Sequence, residues 1–267
     1  MENMFCKRSK RGANRHGATV NFLKRALSML IVTLTLSFLV VALASYVQAS
    51  VGFAYALLTA PLLQLIAPDM VPGPVLFSSL ALSGLTAWRE REWLDRRGVS
   101  LALMGRVPGV LLAGFVVGLF AARTYDIVFG GLIIVATLIS FWGRGLQPTP
   151  AALVGAGFAS GFISTLTSVG GPPMALVYQN ASGPTVRSTL NAYFAVGATM
   201  SIGVLTAAGR FGLKESLWGI AMLPPLAVGI YASRFTRGRL DGPRLRPILL
   251  SIAALSSLAV VIRALFS

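Results

Sequence analysis

Long apolar runs, separated by short polar or basic stretches, dominate this chain. Runs near the length of a membrane span fall at 27–47, 72–88, 101–121, 127–143, 151–178, 186–208, 215–233 and 247–265. A spanning helix needs about 20 apolar residues, so the pattern predicts eight transmembrane helices. A soluble helical protein pairs each apolar face with a polar one; eight blocks of this kind would leave almost no polar surface. The expected fold class is all-α, a polytopic membrane protein of about eight helices.

The pattern also repeats. Ser-Val-Gly occurs at 50–52 and again at 168–170. Each copy continues to a proline followed by apolar residues, Pro61-Leu62-Leu63 and Pro173-Met174-Ala175. Each then reaches a hydroxyl pair before leucine, Ser78-Ser79-Leu80 and Ser188-Thr189-Leu190. The expected organisation is a basic tail, 1–26, then two four-helix repeats with broken helices, 27–146 and 147–267. Gln147, Pro148, Thr149 and Pro150 form the turn-like join. Interrupted helices at matching positions of two repeats are a common plan of secondary transporters, with the substrate between the repeats.

Composition agrees. The chain has 267 residues, 55% hydrophobic and 12% charged, where a soluble domain carries roughly 25% charged residues. The eight acidic residues all lie in the tail or beside gaps between apolar blocks. The net charge is +15. Lys7, Arg8, Lys10, Arg11, Arg15, Lys24 and Arg25 cluster in the tail. Few aromatics interleave with them, so nucleic acid is not the expected partner; anionic lipid headgroups are. The charge rule places this tail in the cytoplasm. The start resembles a signal peptide, but its apolar block exceeds a signal core of roughly 7–15 residues and reads as an uncleaved first span. Eight spans then put the 89–97 loop and both termini in the cytoplasm. The same count puts 234–246, with Arg234, Arg237, Arg239, Arg244 and Arg246, outside, against the charge rule. A re-entrant broken segment would reverse everything after it. The sequence carries no sign of an oligomeric state.

Cys6 and His16 are the only residues of their kinds, and both are in the tail. A metal cluster, a disulfide framework and a His- or Cys-dependent catalytic site are not expected. No cofactor is expected, and no enzyme.

The chemistry concentrates at "SVGGPPMALVYQN", from Ser168. Pro172 and Pro173 lack amide hydrogens and clash with carbonyls one turn back. An unsatisfied backbone group in lipid costs several kcal/mol, so this segment must face protein, water or a solute. Pro172 and Pro173 also suit the first turn of a second helix, whose N-terminus attracts anions. Gly170 and Gly171 let a ligand approach the backbone. The amides of Met174 and Ala175 and the hydroxyls of Ser168, Thr165 and Thr167 would add donors. Ser50 and Gly52 make a weaker copy of this site in the first repeat. Two arginines can meet an anion with a planar fork of donors. Arg106 stands a few residues into the third block and could instead snorkel to the headgroups. Arg187 opens the sixth block, with Asn191 one turn further on.

The stretch "GFASGFISTLTSVGGPPMALVYQNASGPTVRSTLNAYF", 157–194, resembles the second-half signature of the TauE/SafE family of sulfite and organosulfonate exporters. "SVGFAYALLTAPLL", 50–63, with "VLFSSLALSGLTAWRERE", 75–92, resembles the first-half signature, with Phe53-Ala54-Tyr55 replacing the family's glycine run. The resemblance spans roughly 28–265. It implies an inner-membrane multi-pass permease and, for some members, export of small sulfur-containing anions. The expected function is a secondary transporter of a small anion, such as sulfite or an organosulfonate. The alternatives are a non-transporting scaffold or complex subunit, or a transporter of another solute such as a carboxylate.

Overall fold

The computed structural model describes residues 2–143, 146–235 and 245–266, without the side chains of 2–23, 50, 51, 122, 142, 245 and 246. The Ser50 side chain, the basic side chains of the tail up to Arg15, and Arg237, Arg239 and Arg244 therefore lie outside the described residues. Among the described residues there are eleven α-helices and no strand. In order they are α1 (Glu2–Val51), α2 (Ala54–Ile66), α3 (Gly73–Arg89), α4 (Arg96–Val117), α5 (Ala122–Trp142) and α6 (Pro150–Thr167). They continue with α7 (Gly171–Val177), α8 (Gly183–Ala207), α9 (Leu213–Ala221), α10 (Leu223–Ser233) and α11 (Leu245–Phe266).

Seven stretches are long and apolar enough to cross a membrane: Lys24–Ala49, Arg96–Val117, Arg123–Phe141, Pro150–Thr167, Gly183–Ala207, Leu213–Ser233 and Pro247–Phe266. Three features depart from the expected eight. The 72–88 block is α3, only 17 residues long. The 151–178 block is two helices, α6 and the seven-residue α7, parted at Ser168–Gly170. The stretch between the 27–47 and 72–88 blocks holds a separate helix, α2, set off by Gly52 at φ +92°. A positive φ is open to glycine at little cost.

Small residues set the closest packing. In lipid, helices associate through close van der Waals contact rather than through the hydrophobic effect. On α4, Gly105 and Gly109 lie against the α6 carbonyls of Val154 and Phe158, and Gly157 of α6 lies against the carbonyl of Ala102. Each helix thus presents a Gly-xxx-Gly pair, Gly105/Gly109 and Gly157/Gly161, to the other. Gly229 of α10 lies in the same way against the Ala42 carbonyl of α1. The remaining partners also come in matched sets: α3 on α8, α5 on α11, α2 on α11 and α7 on α5.

Polar contacts mark two ends of the bundle. At one end Ala49, Arg89, Glu90 and Ile230 come together, Arg187 pairs with Glu90, and the Tyr178 hydroxyl reaches Asp95. At the other, Lys214 pairs with Asp69 and Arg263 with Asp126, and Arg123 donates to the carbonyls of Ala264 and Leu265. Because α2 runs back from the first end to the second, the chain reverses once more than eight spans allow. The 89–97 loop therefore lies at the end opposite the start of α1, not beside the tail. The flanks of 234–246, Arg234 and Leu245, lie at the same end as Glu90, which removes the conflict between those two loops.

Candidate functional site

At the break, α6 stops because Ser168 adopts a left-handed conformation, φ +66°. The freed backbone groups find partners on α6 itself. The Ser168 amide donates to the Ser164 carbonyl at 2.7 Å and the Val169 amide to Thr167 Oγ1 at 3.1 Å. The Gly170 carbonyl accepts from Ser160 Oγ at 2.7 Å. Ser168 Oγ donates to the Pro72 carbonyl at 2.8 Å, tying the break to the start of α3. Pro172 and Pro173 then open α7. With only seven residues, α7 carries little of a macrodipole, so the expected attraction of its N-terminus for anions is a minor term.

The break at Gly52 is pinned by side chains. Its carbonyl accepts from Gln48 Nε2 at 2.9 Å and from Asn191 Nδ2 at 3.2 Å. Gln48 also accepts from the Tyr55 amide at 2.9 Å and donates to Asn191 Oδ1 at 3.1 Å. A side chain at Gly52 would run into the Arg187 backbone.

Between the breaks lies a buried cation. Arg106 is 1% exposed. It is not near a helix end: α4 begins at Arg96, before the apolar block, so Arg106 falls midway along it. Its Nη2 donates to Ser164 Oγ at 2.8 Å, with weaker contacts from Nη1 to Ser160 Oγ at 3.4 Å and from Nη2 to Ser201 Oγ at 3.5 Å. Its guanidinium carbon lies 4.8 Å from the centre of the Tyr193 ring, a cation–π contact. The Nε hydrogen has no partner among the described residues. Gly161 and Gly197 leave room for Arg106; a methyl group at Gly161 would collide with its stem and backbone, and one at Gly197 with its guanidinium. Among the described residues no carboxylate pairs with Arg106, the three ion pairs being elsewhere. A buried charge without a counter-ion is costly, and an arginine side chain is always charged. Among the described residues its charge is met only by hydroxyls and the Tyr193 ring.

Arg106 lines a cavity of about 30 Å³ with Ser164, Ser168, Gly170 and Gly171. Gln48, Tyr55 and Ser79 add polar wall, and Phe53, Leu76, Phe194 and Ala198 close it with apolar surface.

Of the residues singled out from the sequence, Ser168, Gly170, Gly171 and Arg106 meet at this cavity. Pro172 is buried and Pro173 half-buried in α7, where they shape the turn. Gly52 and Asn191 belong to the network that fixes the first break. Arg187 does not line the cavity; it pairs with Glu90 at 3.1 Å. Thr165 bonds Ser201 at 2.9 Å, and Thr167 bonds the Ile163 carbonyl. Gln48, Tyr55, Ser79, Ser160, Ser164 and Ser201 were not anticipated as a group. Their signal was a polar side chain within an apolar run, which in a membrane helix faces protein rather than lipid.

The Glu90 end of the bundle is held by polar contacts. Besides Arg187–Glu90, the Tyr178 hydroxyl donates to Asp95 Oδ2 at 2.8 Å. Burial, and then the Asp95 carboxylate, raise the Tyr178 phenol well above its ordinary pKa, so it remains a donor. Asp95 also caps α4, accepting from the Gly98 amide at 2.9 Å.

Repeated membrane-length helices, a bundle interior holding a cation and hydroxyls, and helices broken beside a cavity define a polytopic membrane permease. The chain belongs to the sulfite exporter TauE/SafE family, which it matches over residues 37–260. It is thus a membrane transporter of that family, and members of the family are transporters rather than enzymes. No curated protein and no solved structure matches the chain.

Proposed function

We propose that this chain is a secondary transporter of a small anion, bound at Arg106 between two inverted repeats. The observation that carries the reading is Arg106 itself, a fully buried cation with no carboxylate partner among the described residues, facing a cavity beside a broken helix. Its fork of donors suits a sulfur oxyanion and a carboxylate alike. The family's name favours the first.

The repeats are 27–146 and 147–267, each of five segments rather than four. Helices α1 to α5 correspond in order to α6 and α7, then α8, then α9 with α10, then α11. The packing supports this reading: α4 on α6 matches α10 on α1, and α2 on α11 matches α7 on α5, while α3–α8 and α5–α11 lie on the pseudo-two-fold axis. Five segments per repeat make the second copy run opposite to the first. Rocking one repeat on the other exposes a central site to either side in turn. The loops at the Glu90 end carry Arg89, Arg91, Arg96, Arg97, Arg187 and Arg234, so that end is assigned to the cytoplasm of the cell membrane.

The test is anion uptake by the purified protein in liposomes. Arg106→Gln is expected to weaken anion affinity at least tenfold, since hydrogen bonds to a charged group contribute roughly 1.5–3 kcal/mol. Arg106→Lys, which keeps the charge and loses the fork, is expected to fall between. Unchanged transport in folded Arg106→Gln protein would overturn the site.

A further inference from the structure

We propose that the cavity admits one negative charge, so that monoanions are carried and dianions are rejected; this rests on the reading of Arg106 as the anion site. The charges around the cavity lead to it. Arg106 is the one charged side chain among the described residues that line it. The helices packed on α4 are α6 and α8. Helix α6 has no ionisable side chain. Helix α8 offers Arg187, already paired with Glu90, and Tyr193, which presents its ring to the guanidinium. From α2 comes Tyr55, whose hydroxyl is engaged with Ser78 Oγ at 2.7 Å. The Asp69, Asp126 and Asp95 carboxylates are held in contacts at the two ends.

The empty site therefore carries a formal charge of one. A monoanion brings it to neutrality. A dianion leaves one negative charge inside the bundle with no second cation among the lining residues to meet it, a cost that buried ions do not recover. Fluctuating protonation of the walls cannot make up the difference, since no acid, lysine or histidine is among them. The open donors suit one head group: Arg106 Nε lacks a partner among the described residues, and Ser79 adds a hydroxyl to the wall. Phe53, Leu76, Phe194 and Ala198 offer apolar contact to a short substituent. The ligand class this defines is a small monoanionic oxyanion with an apolar group or a proton in place of a second charge. An alkylsulfonate or hydrogensulfite fits; sulfate, the sulfite dianion and a disulfonate do not.

Protection of the purified protein by anions against thermal unfolding, and competition in liposome uptake, separate the possibilities. The monoanion panel is methanesulfonate, ethanesulfonate, acetate and sulfite held mainly as hydrogensulfite at about pH 6. The dianions are sulfate and ethane-1,2-disulfonate. The expected result is binding of at least one monoanion, lost in Arg106→Gln, with both dianions at least about tenfold weaker. Raising the pH to about 8.5 should weaken sulfite as it loses its second proton, and leave methanesulfonate or ethanesulfonate unchanged. If a dianion competes as well as the best monoanion and Arg106→Gln abolishes both, the single-charge proposal is overturned and the anion site stands. If no anion binds in a manner that depends on Arg106, in folded protein, both fall.

Discussion

Arg106 keeps its place because two glycines on other helices make room for it. Gly161 lies under its stem and Gly197 beside its guanidinium. Gly197→Ala leaves the charge and every hydroxyl in place but fills the slot. Overpacking of this kind typically costs about 1–3 kcal/mol, and here the guanidinium must move to relieve it. The expected outcome is a protein that still inserts and folds, with anion affinity reduced toward that of Arg106→Gln. Wild-type affinity in Gly197→Ala would mean that the guanidinium position does not matter to binding. This pairing of residues was not readable from the sequence. Arg106 stands near the start of the apolar block, where snorkelling is the natural reading, because the sequence shows hydropathy and not where helix α4 begins. Its burial depends on two glycines some fifty and ninety positions away, among 28 in the chain.

Helices α4 and α6 hold the site between them, and their contact depends on Gly105, Gly109 and Gly157. Replacing Gly157 by leucine would drive a side chain into the Ala102 carbonyl and separate the helices. Since α6 carries Ser160 and Ser164 and α4 carries Arg106, the separation would also break the bonds that orient the guanidinium. Gly157→Leu is therefore expected to lower both thermal stability and transport. Gly155→Leu, on the opposite, exposed face of α6, where nothing lies within contact of an added side chain, is expected to leave both near wild type. Equal loss in the two variants would show that bulk anywhere on α6 is the problem, and not this contact. The two breaks differed in how far they could be foreseen. Gly-Gly-Pro-Pro announces itself, because proline removes donors wherever it stands. The first break carries no proline at its turn; it rests on one glycine at positive φ and on Gln48 and Asn191 reaching its carbonyl from α1 and α8. Long-range contacts of that kind leave no local mark, so α2, in the gap between the 27–47 and 72–88 blocks, does not register as a segment in the apolar pattern.

The direction in which each helix runs decides where the tail lies. Counting α2 and α7 as separate segments gives ten segments, and the Glu90 end and the start of α1 fall on opposite faces. Eight spans, as the hydropathy pattern suggests, place them on one face. The two arrangements differ in a quantity that Cys6 can report, since it is the only cysteine in the chain. Asn180, exposed in the turn after α7 at the Glu90 end, supplies the second position as Asn180→Cys in a Cys6→Ser background. A membrane-impermeant maleimide applied to intact cells is expected to label one of the two proteins and not the other. With the Glu90 end in the cytoplasm, Cys6 is the one labelled from outside. That outcome would also show seven basic tail residues facing away from the cytoplasm, outweighed by the arginines spread over several short loops on the opposite face; the charge bias is summed over loops near the span ends and the first helix does not always dominate. Labelling of Asn180→Cys alone would keep the ten-segment course and reverse its orientation, with the tail prevailing. Equal behaviour of both positions would remove α2 as a reversing segment, and with it the inverted relation between the repeats on which exposure of Arg106 to each side in turn depends.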